Sequence, residues 1–202
     1  CTQGGSPAAP EGNKSPLTSR GVEPPVVDTV EVSTVVYIPP PETHDFLVDF
    51  PGYARYSEYL ERVDQHGDGG PGTEYDLHFA WWRISYTARS RVVDVEPPTR
   101  LDWTVVKDID ANGRWLVEDV SDEAPPGREH ATRVRLQIQF FPGSADESAI
   151  DLPRFASLSW VIGKVKPLIQ EEAERVVRRI VADIEGEDRE VDLEIHSTPD
   201  SV

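Results

Sequence analysis

The chain has one cysteine, no methionine and no long apolar run in 202 residues, and lysine occurs only at positions 14, 107, 164 and 166. A single thiol, Cys1, excludes an intrachain disulfide and a cysteine-based zinc site. Without a run of about eighteen apolar residues, no segment reads as a membrane-spanning helix. Twenty basic residues face 37 acidic ones, for a formal net charge of −17. No basic patch opposes phosphate repulsion, so nucleic acid is not an expected partner. Scarce lysine with a large acid excess is the composition of a protein that stays soluble in concentrated salt, which screens the self-repulsion of the folded state. A halophilic source is therefore expected.

Motifs of known chemistry are missing too. There is no GxSxG, GxGxxG, phosphate-binding loop or HExxH, and the five histidines are scattered. Neither a metal site nor a cofactor is expected. His44 is expected on a helix surface, His66 and His130 in loops, His196 in the tail, and His78 on a solvent-facing strand position. The stretch EDVSDEAPPGREH reads as a charged loop.

Residues 1–28 are rich in Gly, Pro, Ser and Ala without periodicity, and read as a flexible N-terminal arm. Cys1 followed by TQGGSPAAPEGNKSP suits a lipid-anchored protein at the cell surface, with the polar stretch as tether. The other reading is a cytoplasmic protein. Residues 186–202 are acidic and read as a disordered tail, although VDLEI has the alternation to pair briefly. One domain, residues 29–185, lies between.

Within it, Val30, Val32, Thr34, Val36 and Ile38 alternate with other residues in a strand that ends at consecutive prolines. PETHDFLVDF follows as a short helix with Phe46, Leu47 and Phe50 on one side, broken by Pro51 and Gly52. YARYSEYL reads as a second short helix. Further strands are expected over about 61–67, closed by the GDGGPG turn, and then on both sides of Trp81-Trp82-Arg83-Ile84. Others pass through Leu101, Trp103 and Val105, through Trp115 and Val117, and along ATRVRLQIQFFP. In that last segment Val134, Leu136, Ile138 and Phe140 alternate with Arg133, Arg135, Gln137 and Gln139. One face of the sheet is thus covered and the other wet.

LSWVIGKVKPLIQEEAERVVRRIVADIEG is a long amphipathic helix. Val161, Val165, Leu168, Ile169, Ala173, Val176, Val177, Ile180 and Ile184 recur at three- and four-residue steps. Gly186 is a suitable stop, and Pro167 is expected to kink the helix or set off a short lead-in. The fold class is α+β: a strand, two short helices, about six antiparallel strands, and a helix for the curved sheet to wrap.

VEVSTVVYIPPPETHDFLVDFPGYARY, DVEPPTRLDW, GRWLVED and TRVRLQIQFFP, in this order, resemble the START-like or SRPBCC superfamily of polyketide cyclase/dehydrase and lipid-transport proteins. The resemblance covers about residues 29–185. It implies a helix-grip fold, in which an antiparallel sheet of about seven strands curves around the C-terminal helix and leaves a cavity between them. It also implies an apolar small-molecule ligand such as a lipid, quinone or polyketide-like compound.

By alternation, Tyr75, Phe79, Trp81, Tyr86, Trp103, Trp115 and Phe140 face inward, either as core packing or as the wall of such a cavity. With Ser90, Ile138, Val165 and Ile169 they form the expected ligand-binding set. Trp82 and Arg83, where turn residues would be usual, are expected at the cavity mouth, as a gate or a peripheral membrane contact. Ser90, Tyr86 and Thr34 are the inward polar groups; Arg89 joins them only if the strand phase slips by one residue. None is paired with a recognisable base, so no catalytic residue is assigned. Binding or transport ranks ahead of a cyclase, aromatase or dehydrase activity in the same cavity.

Overall fold

The computed structural model describes residues 27–81, 84–141, 144 and 158–197, with the backbone alone for 84 and 158–171. The first strand, β1 (Asp28–Val36), ends before three prolines. Pro39 takes an extended conformation (φ −67°, ψ 154°), as the residue before a proline must, and helix α1 (Pro40–Val48) starts behind it. The expected second helix is instead a 3-10 turn at Phe50–Arg55. Ser57 Oγ accepts the N–H groups of Tyr59 and Leu60 at 3.1 and 3.2 Å, which draws the backbone out of helical pairing. The chain then enters β2 (Leu60–His66).

Strands β3 (Glu74–Trp81), β4 (Ile84–Glu96), β5 (Arg100–Val105), β6 (Ala111–Asp119) and β7 (Thr132–Phe140) follow as a meander. The sheet order is β2-β3-β4-β5-β6-β7-β1-β8, with every neighbouring pair antiparallel. The strand phase matches the alternation in sequence. Tyr75 opposes Ser90, Phe79 opposes Tyr86, and Leu101 opposes Trp115. A register shift between Val92 and Asp94 leaves Val93 exposed and lets Val92 and Val95 both pack inward.

The outer face carries cross-strand ion pairs. Arg89 grips Asp76 with two hydrogen bonds of 2.6 and 2.8 Å, Arg114 grips Asp102 at 2.5 and 3.1 Å, and Arg91 pairs with Glu74. Arg89 holds the Asp76 carboxyl at about 2, well below its usual range. His78, as expected outside, meets Asp64 at 2.9 Å and Thr87 at 3.0 Å.

Helix α2 (Leu158–Glu185) is one uninterrupted element of 28 residues across Pro167, without a separate lead-in. Its C-terminal turns bury Val177, Val181 and Ile184 against Val36, Ile38, Leu47, Val117 and Val134. A second cluster of Phe50, Tyr75, Val92 and Leu101 fills another part of the sheet's inner face. No helix among the described residues is long and apolar enough to cross a membrane.

The end of α2 is pinned by a buried carboxylate. The Glu185 side chain is fully buried; its Oε1 accepts the Tyr37 N–H at 2.9 Å and Arg189 Nη2 at 2.8 Å, and its Oε2 accepts Arg189 Nε at 2.9 Å. Arg189 Nη2 also donates to the Val35 carbonyl at 2.7 Å, and the guanidinium lies 4.2 Å from the Tyr37 ring centroid. Gly186, at φ +73°, provides the left-handed turn that sends Arg189 back toward β1.

Further expectations need correction: His66, expected in a loop, is the last residue of β2 and pairs with Asp76 at 2.9 Å. The segment after Gly186 is not disordered throughout: Glu194–Ser197 forms β8 on the free edge of β1, with Val32 opposite Ile195. Thr34 Oγ1 donates to the Asp192 carbonyl at 2.9 Å, and Ser33 Oγ meets His196 Nε2 at 2.7 Å, so polar edge groups of β1 are satisfied by the returning chain. His44 is not on the surface. It is buried on the sheet side of α1, its Nε2 without a hydrogen bond, and burial pushes its pKa below the ordinary 6.5.

Removing the Glu185 acceptor strands Arg189 and the Tyr37 N–H. Glu185→Ala is expected to cost about 3–5 kcal/mol in urea unfolding, and Glu185→Gln less. His44 gives a pH signature. The unfolded chain takes up its proton at the ordinary value, whereas the folded chain resists it. The stability due to neutral His44 is therefore full above pH 6.5 and lost as pH falls below it. Between pH 7 and 5 the Tm of His44→Leu should fall less steeply than that of the unaltered protein.

Candidate functional site: an apolar cavity between sheet and helix

The last turns of α2 pack on the sheet through Val177, Val181 and Ile184, and the same helix carries Glu172, Ala173, Val176 and Ile180 over the sheet's inner face. The space left is a cavity of about 750 Å³, within the range of small-molecule sites. The sheet contributes Val30, Val32, Ser33, Thr34, Phe79, Ala80, Trp81, Tyr86, Trp115, Val134 and Leu136. The α1 and 3-10 region adds Phe46, Leu47, Tyr53, Ser57, Tyr59 and Leu60. Helix α2 supplies Glu172, Ala173, Val176, Val177 and Ile180, and Leu193 closes part of the wall from the segment leading to β8. Trp115 packs against both core clusters and reaches the cavity between them.

Most polar groups in this wall bond within the protein. Tyr53 Oη donates to the Leu47 carbonyl at 2.5 Å, and its ring is held between Phe46 and Phe50 at centroid distances of 5.8 and 5.3 Å. Burial, with Asp49 and Tyr75 nearby, pushes the Tyr53 pKa up, so the phenol stays protonated. Ser57 and Thr34 bond to backbone as described. Tyr86 differs: no hydrogen bond to its hydroxyl exists among the described residues, and burial, reinforced by Asp108, raises its pKa. Glu172 also differs, with Oε1 accepting the Glu58 N–H at 2.8 Å and Oε2 accepting no hydrogen bond.

Four of the expected ligand-binding residues share the cavity wall: Phe79, Trp81, Tyr86 and Trp115. Others point inward but lie elsewhere. Tyr75, Ser90 and Phe140 belong to one cross-strand row, running Tyr75–Ser90–Val105–Ala111–Phe140–Asp28, none of which lines the cavity. Tyr75 is 1% exposed and packs on Phe50 with ring centroids 4.6 Å apart. Trp103 and Ile138 sit in the next inward row, opposite Gly113. The Trp103 indole occupies the space over Gly113, where a Cβ would fall 1.9 Å from its Cζ2. Alternation shows which face a residue takes but not how far along the strand the cavity extends.

The backbone of Val165 and Ile169 runs in α2, but their side chains lie outside the described residues. Trp82 and Arg83, expected at the cavity mouth, lie outside the described residues as well. Arg89 is on the outer face, bound to Asp76, so the strand phase has not slipped. Sequence reasoning missed the wall built by Phe46, Tyr53, Tyr59 and Leu60, whose aromatic density was the available signal. It also missed Glu172, which looks like any other acid in EEAER.

Comparison with known proteins gives this architecture its family. The chain belongs to the family described as polyketide cyclase / dehydrase and lipid transport, whose profile matches residues 28–181. Among solved structures it is similar to the Zhui aromatase/cyclase from Streptomyces sp. R1128, at 15% identity and a TM-score of 0.57 over 79% of this chain and 94% of that one. It is also similar to Ara h 8.0201, at 15% identity and a TM-score of 0.53 over 80% of this chain and 99% of that one. At such identity the likeness is one of fold. No curated protein matches the chain by sequence.

The contact of Trp103 with Gly113 makes a sharp steric test. Gly113→Ala should cost about 1–3 kcal/mol through overpacking, read as a lower denaturation midpoint. In a Trp103→Leu background the same alanine should cost much less, because the indole it meets is gone.

Proposed function

We propose that this protein binds or carries a hydrophobic small molecule, of lipid, quinone or polyketide-like character, in the cavity under α2. The observation that carries the reading is the cavity itself: about 750 Å³ lined mainly by apolar and aromatic side chains. A packed core would not leave such a volume empty, since interiors are filled to crystal-like density. Transfer of about 200 Å² of apolar ligand surface into it is worth about 5 kcal/mol before association costs. Phe79, a wall residue, is 36% exposed, so its ring offers apolar surface to a ligand.

A second reading, a cyclase, aromatase or dehydrase, draws support from one group. Tyr86 is a wall residue whose hydroxyl makes no hydrogen bond among the described residues, and its raised pKa keeps the proton at neutral pH, as a general acid would. Turnover of a poly-ketone probe that disappears in Tyr86→Phe would favour that reading over simple carriage.

Native mass spectrometry with organic extraction tests the carrier reading directly. A discrete apolar adduct is expected, and binding of the neutral dye N-phenyl-1-naphthylamine should be saturable. Ala173→Phe puts a ring into the cavity and denies the ligand about 60 Å² of wall. Dye affinity should fall about tenfold with folding intact. Failure of the protein to bind any apolar compound would sink the proposal.

A further inference from the structure

Glu172 is the carboxylate in a mainly apolar cavity wall among the described residues. It lies on α2 beside Ala173 and Val176, is 5% exposed, and is one of the residues that line the cavity. Its two oxygens are used unequally. Oε1 accepts the Glu58 N–H at 2.8 Å and so fixes the side chain to the segment before β2. Oε2 is buried and accepts no hydrogen bond. Leaving a buried carboxylate oxygen without a donor is costly, and such a group in a native site calls for a functional account.

The surrounding charge indicates what would satisfy it. Arg175 Nε lies 3.6 Å from Oε2 and Arg179 Nη1 lies 3.8 Å from Oε1, both in ion-pair range but beyond hydrogen-bond length. The Arg179 guanidinium donates instead to the Tyr56 carbonyl at 2.7 Å and to Glu58 at 2.9 Å. The negative charge of Glu172 is thus already countered. What Oε2 lacks is a donor proton, not a cation.

We infer that Glu172 anchors the polar end of the ligand, and that the ligand class is an apolar molecule ending in a neutral hydrogen-bond donor, a hydroxyl. This inference rests on the carrier reading and narrows it. An ether offers no proton to Oε2, an acid is repelled by the carboxylate, and an amine gains little from a charge that two arginines already balance. Oε1 is held by the Glu58 N–H and Oε2 is buried in the wall, so binding such a head group requires Oε2 to turn toward the cavity.

The test is displacement of N-phenyl-1-naphthylamine by four probes of similar length: decanol, its isomer methyl nonyl ether, decanoic acid and decylamine. Decanol should displace the dye about tenfold or more below the concentration needed for the ether, as expected for a hydrogen bond to a charged acceptor. The acid should be weaker than the alcohol, and the amine no stronger. Glu172→Gln keeps the acceptor for Glu58 but presents an amide N–H₂ where Oε2 was, so the ether and the alcohol should become equivalent. Equal displacement by alcohol and ether in the unaltered protein would overturn the inference while leaving the carrier reading in place. No displacement by any probe, with no dye binding, would overturn both. A preference for the amine would replace the hydroxyl head group by a cationic one. The alcohol–ether contrast needs no variant, so the test holds even if Glu172→Gln folds poorly.

Discussion

The structure depends on how the end of α2 is held to the sheet. Helix α2 is fixed to the sheet by its final turns, where Val177, Val181 and Ile184 bury against the first cluster and Glu185 gathers the Tyr37 N–H and Arg189. A buried carboxylate is tolerable here because its hydrogen-bonding capacity is met by a bidentate guanidinium and a backbone donor. Nearer the middle of the helix, Glu172, Ala173, Val176 and Ile180 stand over the sheet and line the cavity. The cavity is therefore empty volume held open by packing and polar contacts at its edges, a local departure from close packing that the rest of the fold sustains.

The same economy applies to polar groups. On the outer face, arginine and carboxylate side chains pair across neighbouring strands, so a strongly acidic chain still presents locally neutral ladders. On the inner face, wall hydroxyls such as Tyr53, Ser57 and Thr34 turn to backbone groups. What remains is a mainly apolar interior in which groups such as the Tyr86 phenol and Glu172 Oε2 make no hydrogen bond among the described residues. Apolar surface supplies the affinity of such a site, and the few unsatisfied groups supply its selectivity.

Much of this was legible in sequence because period and face are strictly linked in a strand. Alternation placed Phe79, Trp81, Tyr86 and Trp115 inside and Arg89 and His78 outside, and the 3.6-residue period gave α2 its apolar stripe. Position along a strand leaves no such trace, which is why Tyr75, Ser90, Trp103, Ile138 and Phe140 share the inward face with the wall residues without lining the cavity. His44 was misplaced because a nine-residue helix with prolines at its start carries too little periodicity to fix which side is buried. The C-terminal strand was underrated for a different reason. VDLEI is short and acidic, and its order comes from the β1 edge and the Glu185–Arg189 clamp rather than from its own propensity.

That returning strand gives the protein a linkage between its contents and its edge. Leu193, part of the cavity wall, lies one residue before the four-residue β8, whose hold on β1 is a short ladder with a register shift. Such an edge belongs to the least stable parts of a fold, where opening occurs far below the free energy of global unfolding. A ligand that touches Leu193 adds its binding energy to β8 docking, and β8 docking in turn completes the wall for the ligand. By reciprocity, the amide protection of a strand on the rim becomes a gauge of whether the interior is full.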